Sequence, residues 1–156
     1  MSFKFNFDVD VDLKDAGEEV EQALNEISEL EVGIGFNEKS GSYDDGTSVT
    51  MVAAWNEMGT ENAPSRPFMR QTVENNEDEI KRYARVYLQD AIKGYTSAKK
   101  ALELIGYQVA HLMRQEIENG NFEPNAPSTI AKKGSSKPLI DTYKMYSNII
   151  YEVKNN

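Results

Sequence analysis

Cysteine is absent from the 156 residues, and histidine and tryptophan occur once each, as His111 and Trp55. Without thiols there are no disulfide staples, zinc fingers or thiol catalysis. A lone imidazole leaves a histidine-based metal site or a Ser–His dyad short of partners. His111, within "YQVAHLMRQ", reads as a helix-surface or interface histidine. No apolar run approaches the ~20 residues that span a bilayer. The start, Met1-Ser2-Phe3-Lys4, leads into alternating Phe and Asp and not into an apolar h-region, so no secretory leader is expected. Basic residues are few: 17 Lys and Arg against 26 Asp and Glu give a net charge of −9 and a pI near 4.7. They form no basic block, so sequence-specific nucleic-acid binding is poorly supported. An acidic surface repels DNA at short range, which matters only if the protein forms a channel through which DNA must slide.

What remains is a chain of single-domain length, 1-156, with long loops expected at 37-48 and 119-138. Apolar residues make up 39% and charged residues 28%. That balance supports a fold with exposed helix faces, and fits a subunit that finishes burying its surface in an oligomer.

"SFKFNFDVDVDL" alternates strictly, so Phe3, Phe5, Phe7, Val9 and Val11 share one face of a strand near 3–12. Its aspartates oppose edge-to-edge aggregation. In "KDAGEEVEQALNEISELE", Val20, Ala23, Leu24, Ile27 and Leu30 form a helical stripe over 15–30, with Asp15 and Glu18 spaced as a capping box. "EVGIGF" at 31–36 reads as a strand, and the Gly-rich 37–48 as a flexible loop. "VTMVAAWNEM" reads best as a short helix, with Thr47 or Ser48 as its cap and Gly59 just past its end in a left-handed conformation. Pro67 suits a helix first turn. A helical pattern continues from there to Lys93, with a bend allowed at Asn75-Asn76. Gly94 ends it. Thr96 or Ser97 opens a helix over 97–118, whose face is Ala98, Ala101, Leu102, Ile105, Val109, Met113 and Ile117. Residues 119 to 138 hold three of the five prolines and read as an exposed loop. "LIDTYKM" gives a helical turn, and 146–153 a closing strand. The fold class expected is α+β: a small antiparallel sheet packed against two long helices and one shorter N-terminal helix.

One stretch, "AAWNEMGTENAPSRPFMR", looks rich enough to be an active site. Glu57 and Glu61 could act as paired carboxylates if suitably held. A buried Glu57 paired with Arg66 or Arg70 is the more economical reading, because a buried charge demands a partner. With Arg66 and Arg70 one helical turn apart, both could reach it. Neither GxGxxG nor GxxxxGK[ST] occurs. "KKGSSKP" reads as a solvated loop tip, although Lys132, Lys133 and Lys137 could touch phosphate or an acidic neighbour. Trp55 fits either a core or a binding hot spot.

"DGTSVTMVAAWNEMGTENAPSRPFMR" closely resembles the signature of tailed-phage neck and tail-completion proteins, a group that includes the Mu-like virion morphogenesis proteins and lambdoid minor tail or neck components. Their pattern, A-A-x-x-E-F-G-T-x-x-x-P-x-R-P-F-[LM]-R, opens a long helical region. "STIAKKGSSKPLIDTYKMYSNIIYEV" resembles their C-terminal block, T-I-x-x-K-x-x-S-x-P-L-I-D-T-G-x-L-x-x-S-I-x-Y-x-V, and "GNFEPNAPST" fits between the two. The resemblance runs from about Glu31 to Val153. Met58 stands where Phe is usual, a tolerable apolar exchange. Tyr143 stands where Gly is usual; if that glycine serves a left-handed turn, Tyr143 bears a conformational cost, and the turn after Asp141-Thr142 is expected to differ here.

The resemblance implies a non-enzymatic virion protein with no cofactor and no metal. Such a subunit forms a homo-oligomeric ring, six- or twelvefold, at the head–tail junction or upper tail. Its partners would be portal, adaptor or head-completion proteins on one side, and tail terminator or tail tube proteins on the other. Genomic DNA would pass through without specific binding. The protein would reside in the virion, and in the host cytoplasm during assembly. The motif residues carried over, as interface or structural positions, are Trp55, Glu57, Gly59, Thr60, Pro64, Arg66, Pro67, Phe68, Arg70, Lys137, Pro138, Leu139, Asp141 and Thr142. Two other classes stay open: a tail-associated hydrolase, and a transient tail-assembly or capping factor absent from the mature virion.

Overall fold

The computed structural model describes residues 2–3 and 17–156. In chain order the elements are β1 (Ser2–Phe3), α1 (Glu18–Ser28), β2 (Leu30–Gly35), a 3-10 turn (Glu38–Ser40), α2 (Val49–Met58), α3 (Phe68–Asn75), α4 (Glu77–Ile92), α5 (Ala98–Asn119), α6 (Pro127–Lys133), α7 (Lys144–Ser147) and β3 (Ile150–Asn155). The class is α+β, as expected. The sheet order is β1-β2-β3, with β2 in the middle. Most of the strand expected at 3–12, its phenylalanine face and the Asp15 cap lie outside the described residues. Gly17 stands at the N-cap of α1, which places Glu18 at the first helical position and not at the third, where a capping box needs it.

Contacts gather the chain into two compact units. One comprises Phe3–Ile34, Asn76–Val109 and Tyr151–Asn156. There α1 packs on α4, and Val32, Ile34, Ile80, Ala84, Leu88, Leu102, Ile105 and Val109 form the core. Gly106 lets α5 approach the sheet: a Cβ at this position would come within 2.9 Å of Val32 and Tyr151. The side-chain amide of Asn156 donates to the Ser28 carbonyl (2.9 Å), tying the chain end to the α1 terminus. Leu24 and Ile27 contribute less than the stripe suggests, because no residue of α1 is fully buried.

The other unit comprises Met1–Ser2, Gly35–Asn75 and Ala110–Ile150. Its core holds Phe36, Val49, Ala53, Phe68, Met69, Met113 and Ile117, with the Phe36 and Phe68 rings edge-to-face at 6.0 Å. The seven-residue stripe from Ala98 to Ile117 that marked the long helix is buried throughout.

Four expectations change. The helix expected to run from Pro67 to Lys93 is two helices, because Asn76 (φ −127°, ψ 22°) leaves helical geometry between α3 and α4. The loop at 119–138 contains α6, with Pro127 in its first turn and Gly134 in the left-handed conformation (φ 69°) at its end. The closing strand starts at Ile150, four residues later than expected, because α7 occupies Lys144–Ser147. The 37–48 segment is built and not loose. Asn37 and Ser40 exchange capping hydrogen bonds, Asp45 accepts from the Thr47 N–H at 2.9 Å, and Ser42 bridges to Ser48.

Candidate functional site

The site grows from the end of α2. The Gly59 N–H donates to the Trp55 carbonyl at 2.8 Å, closing the helix. Gly59 then takes φ 78° and ψ 174°. The positive φ is as expected; the extended ψ differs from a left-handed cap and turns the chain sharply outward. A side chain here is excluded twice, by φ and by space, since a Cβ would lie 2.8 Å from the Ser65 backbone nitrogen. Thr60 and Ala63 pair across a small loop that exposes Pro64. The Arg66 N–H returns to the Asn56 carbonyl at 2.6 Å, and Pro67 precedes the first residue of α3.

Glu57 holds this corner together. It is 5% exposed, and its carboxylate accepts from the Met69 N–H (2.8 Å), the Arg70 N–H (3.2 Å) and Arg70 Nε (3.0 Å). The first two are free donors at the start of α3, where the helix dipole also favours a negative charge. The Glu57 carbonyl accepts from Ser65 Oγ and from an Arg70 Nη. A carboxylate so engaged is a structural anchor, while Glu61 is exposed.

Arg66 does not join this pair. It precedes α3, so it is not one helical turn from Arg70, and its side chain runs elsewhere. Nε donates to the Glu123 carbonyl at 2.7 Å and an Nη to the Pro124 carbonyl at 3.1 Å. Arg66 is 7% exposed, and burial pulls its pKa below the ordinary value; a guanidinium still keeps its charge at neutral pH. The side chain thus clamps two segments separated by more than fifty residues.

Beside that clamp, residues of the two quoted sequence blocks line a common cleft of about 410 Å³. Trp55 and Arg66 from the first block, and Pro138, Leu139, Asp141 and Thr142 from the second, all line it. Glu57, Gly59, Phe68 and Arg70 build the corner behind it. Lys137 contributes through its backbone: its carbonyl accepts from Asn125 Nδ2 (3.2 Å) and Lys133 Nζ (2.6 Å). Trp55 is 44% exposed and so takes the surface reading over the core one. His111 is exposed on α5.

The cleft has further members. Lys133 is half-buried at the end of α6, and Nζ also donates to the Pro138 carbonyl at 3.1 Å, so it is no solvated loop tip. Burial lowers its pKa, opposed by Asp141 and reinforced by repulsion from Arg66. Burial raises the Tyr43 pKa, with Asp141 and Asp45 adding to it, so this phenol is held neutral and is not activated as a base. Asn125 is buried and ties its loop to the backbone at Lys137. Tyr143 is, among the described residues, the one non-glycine with positive φ (59°, ψ 7°). Its ring meets Tyr146 edge-to-face at 5.7 Å.

Comparison with family models, curated proteins and solved structures finds no match to this chain. Among the described residues no cluster of His, Asp or Glu is arranged to hold a metal ion. No described helix is long and apolar enough to cross a membrane.

What the arrangement offers chemically is recognition. Aromatic rings and a short apolar floor stand beside the buried Arg66 and the half-buried Lys133, whose donors are largely engaged by carbonyl oxygens. Clefts of this size and make-up suit a ligand or a partner's side chains. Arg66 was expected beside Glu57 and lies elsewhere, and Tyr143 stood out only against the glycine of the pattern that the sequence resembles. Asn125 carried no sequence signal, and the Pro127–Gly134 spacing was the one hint of α6.

Proposed function

We propose that this chain is a structural virion subunit of a tailed bacteriophage or prophage. In this reading it forms a homo-oligomeric ring at the head–tail junction or upper tail, joins head to tail, and lets DNA pass. One observation carries the reading. The two sequence blocks that resemble the neck and tail-completion family lie some sixty residues apart, yet both line one cleft; Arg66 of the first holds the intervening segment at Glu123 and Pro124, and Asn125 of that segment holds the Lys137 carbonyl of the second. Residues of a shared motif that converge in space are under a common structural demand. Here that demand falls on a fixed corner and an exposed Trp55, and the one motif carboxylate that is buried, Glu57, is committed to holding the corner.

Size-exclusion chromatography with light scattering, followed by negative-stain microscopy, tests this. Ring-shaped particles of six or twelve copies are expected. A chain that remains monomeric at every concentration and degrades bacterial cell walls would overturn the reading in favour of a hydrolase.

A further inference from the structure

The cleft beside the Arg66 clamp is balanced in charge. Glu123 acts on Arg66, Asp141 acts on Lys133, and Asp44 lies 3.8 Å from Lys144. Each cation that lines the cleft thus has an acid of its own, and no uncompensated charge is left to draw an ion. What the cleft offers a ligand is hydrogen bonding and aromatic surface.

Its hydrogen-bonding groups converge from several segments. Asn125 is only 8% exposed. Its Nδ2 is committed to the Lys137 carbonyl, but its Oδ1 accepts from no described group. No buried polar side-chain atom among the described residues lacks a partner, so this oxygen is not sealed in; the open space beside Asn125 is the cleft. Asn56 repeats the arrangement: Nδ2 donates to the Val52 carbonyl at 2.9 Å, which leaves Oδ1 open. The Asp141 carboxylate is exposed and accepts no hydrogen bond from the described residues. The Tyr43 hydroxyl oxygen accepts from the Met145 N–H and keeps its own proton to donate.

Aromatic faces stand beside these groups. Trp55 and Tyr143 line the cleft and are 44% and 49% exposed, and Tyr143 is held by its edge-to-face contact with Tyr146. This combination selects among ligand classes. An apolar ligand would cover Asn125 Oδ1 and Asp141 without replacing their hydrogen bonds to water. An ionic ligand would meet no unbalanced charge. A pyranose matches both halves of the site: each hydroxyl donates and accepts, and the C–H face of the ring lies flat on the negative π face of an aromatic side chain. The cleft volume, about 410 Å³, falls in the range of small-ligand sites.

We propose that this cleft binds a neutral saccharide, with Trp55 and Tyr143 as stacking faces and Asn56, Asn125, Asp141 and Tyr43 as the groups that read its hydroxyls. All of these residues belong to one compact unit of the chain, so the inference does not rest on the ring reading and outlives its failure.

Trp55 is the only tryptophan in the chain, so its fluorescence reports on the cleft directly. The full chain is titrated with glucose, galactose, mannose, N-acetylglucosamine, maltose and chitobiose, with glucuronic acid and adenosine as comparators. A saturable change with at least one neutral saccharide, in the millimolar range, is expected. Asp141→Asn alters an exposed side chain that accepts no hydrogen bond from the described residues, so the fold is kept, and it should weaken that binding about tenfold. Trp55→Ala removes the reporter, and saturation-transfer NMR on the sugar should then show binding lost. No saturable response to any neutral saccharide overturns the proposal. Equal affinity in Asp141→Asn and the wild type places the ligand elsewhere and overturns it too. A response to glucuronic acid or adenosine alone would make the ligand an anion or a planar base, and has the same result.

Discussion

Replacing Glu57 by glutamine preserves the shape of the side chain and removes its charge. The carboxylate receives three N–H groups, two of them backbone donors at the start of α3. Glutamine keeps one acceptor oxygen. Its amide turns two hydrogens toward a backbone N–H that has no other acceptor in the helix, so donor faces donor. Hydrogen bonds to a charged group contribute about 1.5–3 kcal/mol, and an unsatisfied buried donor costs about 1–3 kcal/mol. Lost interaction with the helix dipole adds about 0.3–1 kcal/mol. These losses overlap, because they describe the same contacts, so Glu57→Gln should destabilise by about 3 kcal/mol. For a chain of this length that lowers Tm by roughly 6–12 °C. Arg70→Met should cost less, about 1 kcal/mol, because the Arg70 side chain is 55% exposed and exposed partners count for little. Urea unfolding of both single variants and the double variant should show coupling between Glu57 and Arg70. The same cycle with Arg66→Met should be additive within about 0.5 kcal/mol. Glu57→Gln at wild-type stability, or stronger coupling to Arg66 than to Arg70, would refute the assignment of Glu57 as the cap of α3.

Two further substitutions test backbone geometry. Gly59→Ala should cost at least about 2 kcal/mol by thermal or urea unfolding, from positive φ and the clash with the Ser65 backbone combined; a neutral result would mean that the corner relaxes freely. At position 143, both Tyr143→Ala and Tyr143→Gly lose the ring contact with Tyr146, so their difference isolates φ. Glycine should be more stable than alanine by about 1 kcal/mol, opposite to its usual order, and the usual order would show that this turn is not left-handed.

The legible parts of the fold were those with a local cause. The α5 face repeats at three and four over twenty residues, and it is buried as the period requires. The helix from Val49 to Met58 and its stop at Gly59 followed from composition and one glycine. The tyrosine at 143, where the resembled pattern has glycine, suggested a changed turn after Asp141-Thr142, yet Tyr143 itself adopts the left-handed conformation. What escaped was set by contacts distant in sequence. Arg66 and Arg70 look equivalent in the sequence, and only the start of α3 at Phe68 sends one to Glu57 and the other to the carbonyls of Glu123 and Pro124. Helix α6 is polar, with no apolar stripe to announce it, so its Pro127 and Gly134 punctuation was outweighed by the density of Ser, Lys and Pro. Arg66, helix α6 and the turn at Tyr143 all contribute to the cleft lining, and no stretch of the sequence read alone contains it.

The most direct measurement is a cryo-EM map of virions that carry this chain. The account predicts density for a closed ring of this subunit between the head and the tail tube, with six or twelve copies around the DNA path. A mature particle that lacks the chain, or that carries it away from the head–tail junction and upper tail, would contradict it.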